Sequence, residues 1–561
     1  MEQIRLAEMY MYENKLAIAG SVLKNILLAD PLHSRANELL AYVLDAQGQK
    51  DLAIHYLIKA GESPDASYQA LYSLGSQFLA EQKYLQAIRF LQEALKKNGD
   101  LFEGLHDLGL AYVGLKQFTD AIHYLRKATL QKPDSFEALN NLGAALRNNG
   151  EFEESLKALD SAIQVDSQNA GAWLNKGVTF HSLGQFKEAL SCLDTALSIE
   201  PQYLEAICNK ANSLVEIGMY DAANVEYQKA LKIAPRDFDT QYNFSRLCLL
   251  QGQFDQGWKM HEARWNSVDA PPHPYQSIST LSSLENLRGK NVLVWAEQGL
   301  GDSIQFCRYI PLLAKYGARI TLLVPQALKG IMSSLSGLER IETDIKGRDS
   351  EFDFQIPMMS LPLVFKTDLM TIPNGVPYLA ADPEKITAWK LRLAGRKNLR
   401  VGLVWSGGFR EKLPTLWAVN RRRNIPLELI ASLQEVQGVD FFSLQKGEPA
   451  ETEFLTKKAS VWPSQNIDNY VSDLKDFTDT AALLVNLDLI ISVDTSTAHL
   501  AAALGKPVWM LNRLDSCWRW LLNRGDSPWY PTMTLYRQSS AEGWGDLMTE
   551  VKNDLKLLTL K

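Results

Sequence analysis

The sequence predicts an all-helical solenoid followed by an α/β region of two halves, each built on a parallel sheet. Three observations carry this. Asn141, Asn175, Asn209 and Asn243 recur every 34 residues, a period that marks stacked helix–turn–helix units. The period fades near residue 267, where a stretch with Pro271, Pro272, Pro274 and several serines follows. Beyond it, short β-rich runs alternate with helix-length segments, the pattern of parallel sheets.

Within the repeats, small residues that let paired helices approach stand at Gly75, Gly109, Gly143, Gly177, Ala211 and Ser245. A second small position follows at Ala94, Ala128, Ala162, Ala196 and Ala230, and units end at Pro31, Pro133, Pro201 and Pro235. The phase covers residues 1–267, about eight units by the 34-residue period. Irregular units near Ala19 and Ala53–Ala60, and an end at Trp258 and Arg264-Trp265, fit the atypical repeats that cap such arrays. These marks resemble tetratricopeptide domains. The recurring asparagine offers donors and acceptors for the backbone of an extended peptide, so Asn141, Asn175, Asn209 and Asn243 are candidate acceptor-groove residues. Hydrogen bonding within their own repeats is the competing reading.

At 561 residues the chain is too long for one ordinary core. A hydrophobic content of 46% with 22% charged residues describes a globular protein. The formal net charge of −7, with no dominant basic stripe, argues against nucleic-acid and anionic-membrane partners. The five cysteines are scattered and fit neither a disulfide framework nor a zinc spacing. No metal site is expected. Arg5, Glu8, Glu13 and Lys15 interrupt any N-terminal apolar run, and no later run is long enough to span a bilayer. A cytoplasmic location is the expectation.

After a linker at 268–289, the α/β region divides into halves at 290–385 and 386–561, facing across a cleft. Strands are expected at Asn291–Trp295, Ile320–Val324, Leu399–Trp405, Val439–Leu444 and Leu487–Val493, with a helix around Glu384–Ala394. Ligands in such folds lie beyond the carboxyl ends of the strands. Four loops there carry chemistry. The first, Glu297 to Ser303, has Gly299 and Gly301 for close backbone approach, and Asp302, which either caps the next helix or serves as an acid–base group. The second is Trp405-Ser406-Gly407-Gly408, either a phosphate or sugar cradle or a plain turn. The third carries Gln445 and Lys446, the lysine suited to a diphosphate. The fourth runs from Asp494, Thr495 and Ser496 through His499 to Gly505-Lys506-Pro507: hydroxyl residues cap a helix whose free N–H groups suit a diphosphate. Arg421-Arg422-Arg423, in a polar loop, offers guanidinium groups to the same anion.

The second half resembles the GT-B glycosyltransferases related to lipopolysaccharide heptosyltransferases, in which Asp-Thr-x-x-x-His-x-Ala-x-x-Leu-Gly-x-Pro lines the nucleotide-sugar site. That pattern is complete from Asp494 to Pro507, and the family's glycine-rich loop with a catalytic aspartate is matched by Gly299-Leu300-Gly301-Asp302. With Gly257-Trp258, Asp476 to Ala482, Trp518-Arg519-Trp520 and Ser527 to Thr532, the whole chain looks like bacterial tetratricopeptide–glycosyltransferase fusions. The resemblance implies two Rossmann-like halves, a nucleotide-sugar donor as co-substrate without a further cofactor, and inversion at the anomeric carbon with Asp302 as general base. It implies donor contacts from Gly299, Gly301, Trp405, Ser406, Gly407, Arg423, Gln445, Lys446, Asp494, Thr495, Ser496 and His499. The two α/β halves contain no Asp-x-Asp triplet, so cationic side chains are expected to take the place of a metal in holding the leaving group.

A transferase acting on a small acceptor has no evident use for eight helical units, so the array is expected to present a protein acceptor for O-glycosylation, with flagellin a candidate. Two other readings stay open: a glycan or lipopolysaccharide transferase recruited through its repeats, and a non-catalytic scaffold.

Overall fold

The computed structural model describes residues 2–268, 270–409, 413–540 and 543–560. Among these, sixteen α-helices run from Glu2–Tyr12 to Phe254–His261, pairing as the period predicts. One unit shows why. Ser135 caps the helix Phe136–Asn149 by accepting the Ala138 N–H at 3.3 Å, and Gly150 ends it in the left-handed region at φ 87°. The return helix is Phe152–Val165. A Cβ added at Gly143 would lie 2.5 Å from Leu159, and at Gly109 2.6 Å from Leu125. The periodic glycine therefore makes room for a leucine of the paired helix.

The chain divides into two compact units, one ending at Tyr203 and one beginning at Leu204. This differs from the expected boundary at 267, because within the second unit the last repeats are bonded to the α/β region. Arg422 bridges Glu216 at 2.5 Å and Asp515 at 2.9 Å. Trp258 Nε1 donates to the Thr367 carbonyl at 2.9 Å. Arg264 makes a two-pronged bond to Glu297, 2.8 Å at each nitrogen, and further bonds to Glu262 and Ser360. The expected linker is partly docked as well: residues 279–281 exchange backbone hydrogen bonds with Gln355, and Ile278, Leu281 and Leu287 are buried.

The first sheet contains β1 (Asn291–Trp295), β2 (Arg319–Leu323), β3 (Leu338–Glu342) and β4 (Phe354–Pro357), all parallel, in the order β3-β2-β1-β4. The second contains β5 (Leu399–Val404), β6 (Val439–Ser443), β7 (Ile467–Asn469), β8 (Leu489–Val493), β9 (Val508–Asn512) and β10 (Met533–Arg537). It too is parallel, in the order β10-β9-β8-β5-β6-β7. This is the doubly wound order, whose strand order reverses between β5 and β8 and opens a crevice there. Strands β6 and β8 are buried throughout, as expected for central strands covered by helices on both faces. Val401, Leu403, Phe441, Ile491 and Leu511 pack with Leu547, Val551 and Leu555 of the C-terminal helix Trp544–Thr559. Among the described residues, no helix is long and apolar enough to cross a membrane.

The bond between the last repeats and the α/β region at Glu216 responds to pH. Burial, then the neighbouring Asp515, push the Glu216 carboxyl up to about 7, against the pull of Arg422. The folded form therefore binds this proton more tightly than the unfolded chain, whose glutamates titrate near about 4.3. The resulting stability is fully present below that value and is lost as pH rises to about 7. Asp515 is shifted the opposite way, with its effect at lower pH. Urea unfolding at pH 5 and pH 7.5 is predicted to show the wild type losing stability relative to Glu216→Gln across this interval; parallel curves would contradict it.

Candidate functional site

Two cavities lie side by side at the crevice. The larger, about 550 Å³, is lined by Ser406, Gly407 and Gly408 after β5, Lys446 after β6, Thr495, Ser496 and Thr497 after β8, and Leu300 and Gly301 after β1. The smaller, about 320 Å³, contains Gly299, Asp302, Asp494, His499 and the side chains of Arg246, Arg423, Arg513 and Arg519. Gly301, Arg423, Asp494, Thr495 and Ser496 line both.

The turn after β8 is built from its sequence. Thr495 is extended (φ −140°, ψ 162°) and caps the helix Ser496–Ala503, accepting the Ala498 N–H at 3.4 Å and sharing a 3.0 Å hydrogen bond with Ser492. Ser496 and Thr497 occupy the first two helical positions, where N–H groups have no acceptor inside the helix. Both border the larger cavity, which gives it an anion-attracting end. His499 is buried on the next turn. Its Nδ1 is 2.8 Å from the Tyr530 hydroxyl, its Nε2 is 3.6 Å from Asp494, and its ring stacks on Trp520. Burial works against charge on Asp494, yet His499, Arg519 and the 3.1 Å bond from Trp520 Nε1 hold its carboxyl well below the usual range.

Asp302 is the third residue of the helix Leu300–Phe306. Its Oδ2 accepts the Gly299 N–H at 2.8 Å, the capping geometry foreseen from sequence, while its Oδ1 accepts from Arg519. A Cβ on Gly301 would lie 3.0 Å from the His499 ring, so this glycine permits the first half to touch the β8 turn. Arg519 also donates to Gln305 at 2.8 Å and to Cys517 Sγ at 3.1 Å. Burial disfavours its charge, but Asp302 holds the guanidinium above its ordinary range. The segment Trp518–Trp520 carrying Arg519 is locked from below. Leu521 has φ 51° and ψ −172°, a region close to glycine-only that costs about 1–3 kcal/mol. Arg537 fastens the turn through the Trp520 carbonyl at 2.5 Å and the Arg524 carbonyl at 2.8 Å.

Other candidates fall differently. Trp405 and Gln445 do not face the cavities: both are buried, and Gln445 Oε1 accepts the Trp405 and Ser406 N–H groups at 3.1 and 2.8 Å. Gln445 thus shapes the β5 loop from behind. Lys446 borders the larger cavity and donates to the Leu474 carbonyl. Arg421, Arg422 and Arg423 end the helix Trp417–Arg423 rather than lying in a loop. Arg422 is spent on Glu216 and Asp515, whereas Arg423 reaches both cavities. A Cβ at Gly407 would overlap the Arg423 guanidinium, so the glycine lets that group lie against the β5 loop.

Among the repeat asparagines, Asn141 pairs with His106 at 3.0 Å, and Asn175 donates to Asn140 at 2.9 Å while accepting from Arg147 at 3.1 Å. These bonds link neighbouring repeats. Asn209 bonds its own helix at the Glu205 carbonyl, 2.8 Å away. Asn243 is half-buried on the helix Phe238–Leu250. Sequence reasoning missed Arg246 on that helix and Arg513 after β9, both at the smaller cavity. For Arg246 a signal existed: its register position holds Leu110, Ala144, Val178 and Asn212 in earlier units.

Family models for the tetratricopeptide repeat match residues 4–67, 106–164, 170–203 and 204–237. The model for glycosyltransferase family 9 (heptosyltransferase) matches residues 428–512, which include Lys446 and the β8 turn but neither Asp302 nor Arg519. The protein FlbA of Caulobacter vibrioides is 25% identical over 339 residues, covering 56% of this chain and 54% of that protein. The chain thus spans about half the length of the curated relative it matches. Solved structures resembling it include YrrB, a tetratricopeptide protein, at 24% identity and TM-score 0.31, covering 33% of this chain and 95% of YrrB. A tetratricopeptide protein of Thermus thermophilus, TTC0263, is 26% identical, with TM-score 0.29, covering 33% of this chain and all of that one (100%). The chain joins tetratricopeptide repeats to a heptosyltransferase-like glycosyltransferase domain.

Arg519→Met would remove the guanidinium from Asp302 Oδ1, leaving that carboxylate only the Gly299 N–H, and would take the donor from the buried Gln305 Oε1. A loss of about 2–4 kcal/mol in unfolding free energy is expected, measured by urea titration; a loss within about 0.5 kcal/mol, the scale of a neutral surface change, would show that the pair does not hold the site together.

Proposed function

We propose that the chain transfers a sugar from a nucleotide-sugar to a serine or threonine hydroxyl of a protein presented by the repeats, with inversion and without a metal, on a GT-B framework. The observation that carries this is the junction of the two cavities. The larger has the β8 helix start, Lys446 and Arg423 for a nucleotide diphosphate, and it meets the smaller at Gly301, Thr495 and Ser496, beside Asp302.

In this reading the diphosphate rests on the Ser496 and Thr497 N–H groups, which stabilise it as it departs. The sugar enters the smaller cavity. Each oxygen of Asp302 already accepts one bond, and each retains a second lone pair, so the carboxylate can take the acceptor proton without leaving Arg519. His499, fixed by Tyr530, Asp494 and Trp520, keeps the floor of the site in place. Asparagines 141, 175, 209 and 243 engage the acceptor backbone, which requires the inter-repeat bonds of Asn141 and Asn175 to exchange for bonds to the peptide. The acceptor is a bacterial protein, and flagellin is the first to test. The location is cytoplasmic, where nucleotide-sugars are made.

A second reading has its own support: the match to a heptosyltransferase family favours a glycan acceptor, with the repeats recruiting partner enzymes. Product analysis by mass spectrometry separates the two. Sugar on a protein hydroxyl supports the first reading, and sugar on a glycan alone the second. In either case Asp302→Asn is expected to keep nucleotide-sugar affinity by calorimetry while transfer falls about 10²–10⁴-fold. A folded Asp302→Asn protein with full activity would refute the base assignment.

A further inference from the structure

Arg246 belongs to a repeat helix, Phe238–Leu250, yet its side chain lines the cavity containing Asp302. The other three guanidinium groups there are engaged. Arg519 is held by Asp302 and Gln305; Arg513 by Asp515 at 3.3 Å and the Val419 carbonyl at 3.1 Å; Arg423 by Asn420 and the Gly408 carbonyl, each at 3.3 Å. Arg246 is exposed, and among the described residues it has no ion-pair partner. The cavity's carboxylates are also committed, Asp302 to Arg519 and Asp494 to Trp520.

Nothing in repeat packing calls for this residue, since earlier units place leucine, alanine, valine or asparagine at its register. A guanidinium left facing a polar cavity is a ready partner for an oxyanion, which it binds through charge-assisted hydrogen bonds. The cavity continues from the anion-attracting end of the β8 helix through Ser496 and Gly301. A group extending from a diphosphate seated there into the smaller cavity would share that cavity with Arg246.

We propose that Arg246 is a donor-binding residue supplied by the repeats, holding an oxyanion of the nucleotide-sugar in the Asp302 cavity. This rests on the transferase reading above. The oxyanion is either the phosphate nearer the sugar or a carboxylate borne by the sugar itself, and the two are separable by probe. On this account the repeats form part of the donor site as well as presenting the acceptor.

The test is calorimetric titration of the full chain, Arg246→Gln and the control Arg236→Gln, an exposed arginine in the turn before the same helix. The probes are inorganic pyrophosphate, UDP, GDP, ADP and CMP, and the nucleotide-sugar pair UDP-glucose and UDP-glucuronate, at two salt concentrations. Arg246→Gln is expected to weaken binding about ten- to a hundredfold and to flatten its salt dependence, with Arg236→Gln and thermal unfolding unchanged. Weakening towards pyrophosphate assigns the phosphate; weakening confined to UDP-glucuronate assigns the sugar carboxylate. Equal affinities of wild type and Arg246→Gln for every probe overturn the proposal, as does a wild type that binds none of them. A wild type that binds pyrophosphate through Arg246 but neither binds nor transfers any sugar nucleotide sinks the transferase reading and leaves the anion site standing.

Discussion

The ion pair between Arg519 and Asp302 is the constraint on which the second unit is organised. It ties the helix after β1 to a segment that follows β9, so the two sheets meet at a fixed charge. The residues flanking Arg519 extend the same hub in both directions. Trp520 packs on His499 and bonds Asp494, while Trp518 meets Trp258 and His261 of the last repeat and Phe306 of the Asp302 helix. Arg519 is buried and Asp302 partly so, and a pair drawn out of water is a weak source of net stability but costly when half of it is lost, which suits a role in fixing geometry. The strained Leu521 backbone beside it fits the same role, since such strain persists only where the surroundings over-determine the conformation.

From that hub the division of labour follows. The β8 turn supplies hydrogen-bond donors, the Asp302 helix supplies a carboxylate, and the last repeats brace both and add Arg246. Residues 204–265 therefore belong to the same compact unit as the α/β region, although their sequence is that of the repeat. The attachment combines bridging ion pairs at Glu216 and Arg264 with aromatic packing of Trp258 and Trp265 on the α/β region.

Much of this was legible in the sequence because the relevant forces are local. The helical pairs were visible because Gly143 and its equivalents must leave room for a leucine sixteen residues on. Strands β1, β2, β5, β6 and β8 were visible as apolar runs. Strands β3, β4, β7, β9 and β10 were not: β3 is a charged, largely solvent-facing edge, and β4 and β7 are only four and three residues long. In the site, the capping signals at Thr495 and Asp302 were readable, since caps act on neighbouring N–H groups. The inward turn of Gln445 and the pairing of Arg422 with Glu216 depend on residues far apart in sequence, and no local pattern reports them; Arg246 was marked only by its departure from the register of the earlier units.

The most direct test of the hub is hydrogen exchange by mass spectrometry on the wild type and Trp518→Ala. If one hub holds the last repeat and the Asp302 helix together, the substitution will speed exchange in Phe238–Leu250 and Leu300–Phe306 in parallel. Faster exchange confined to the residues around 517–521, with both helices unchanged, would contradict the account.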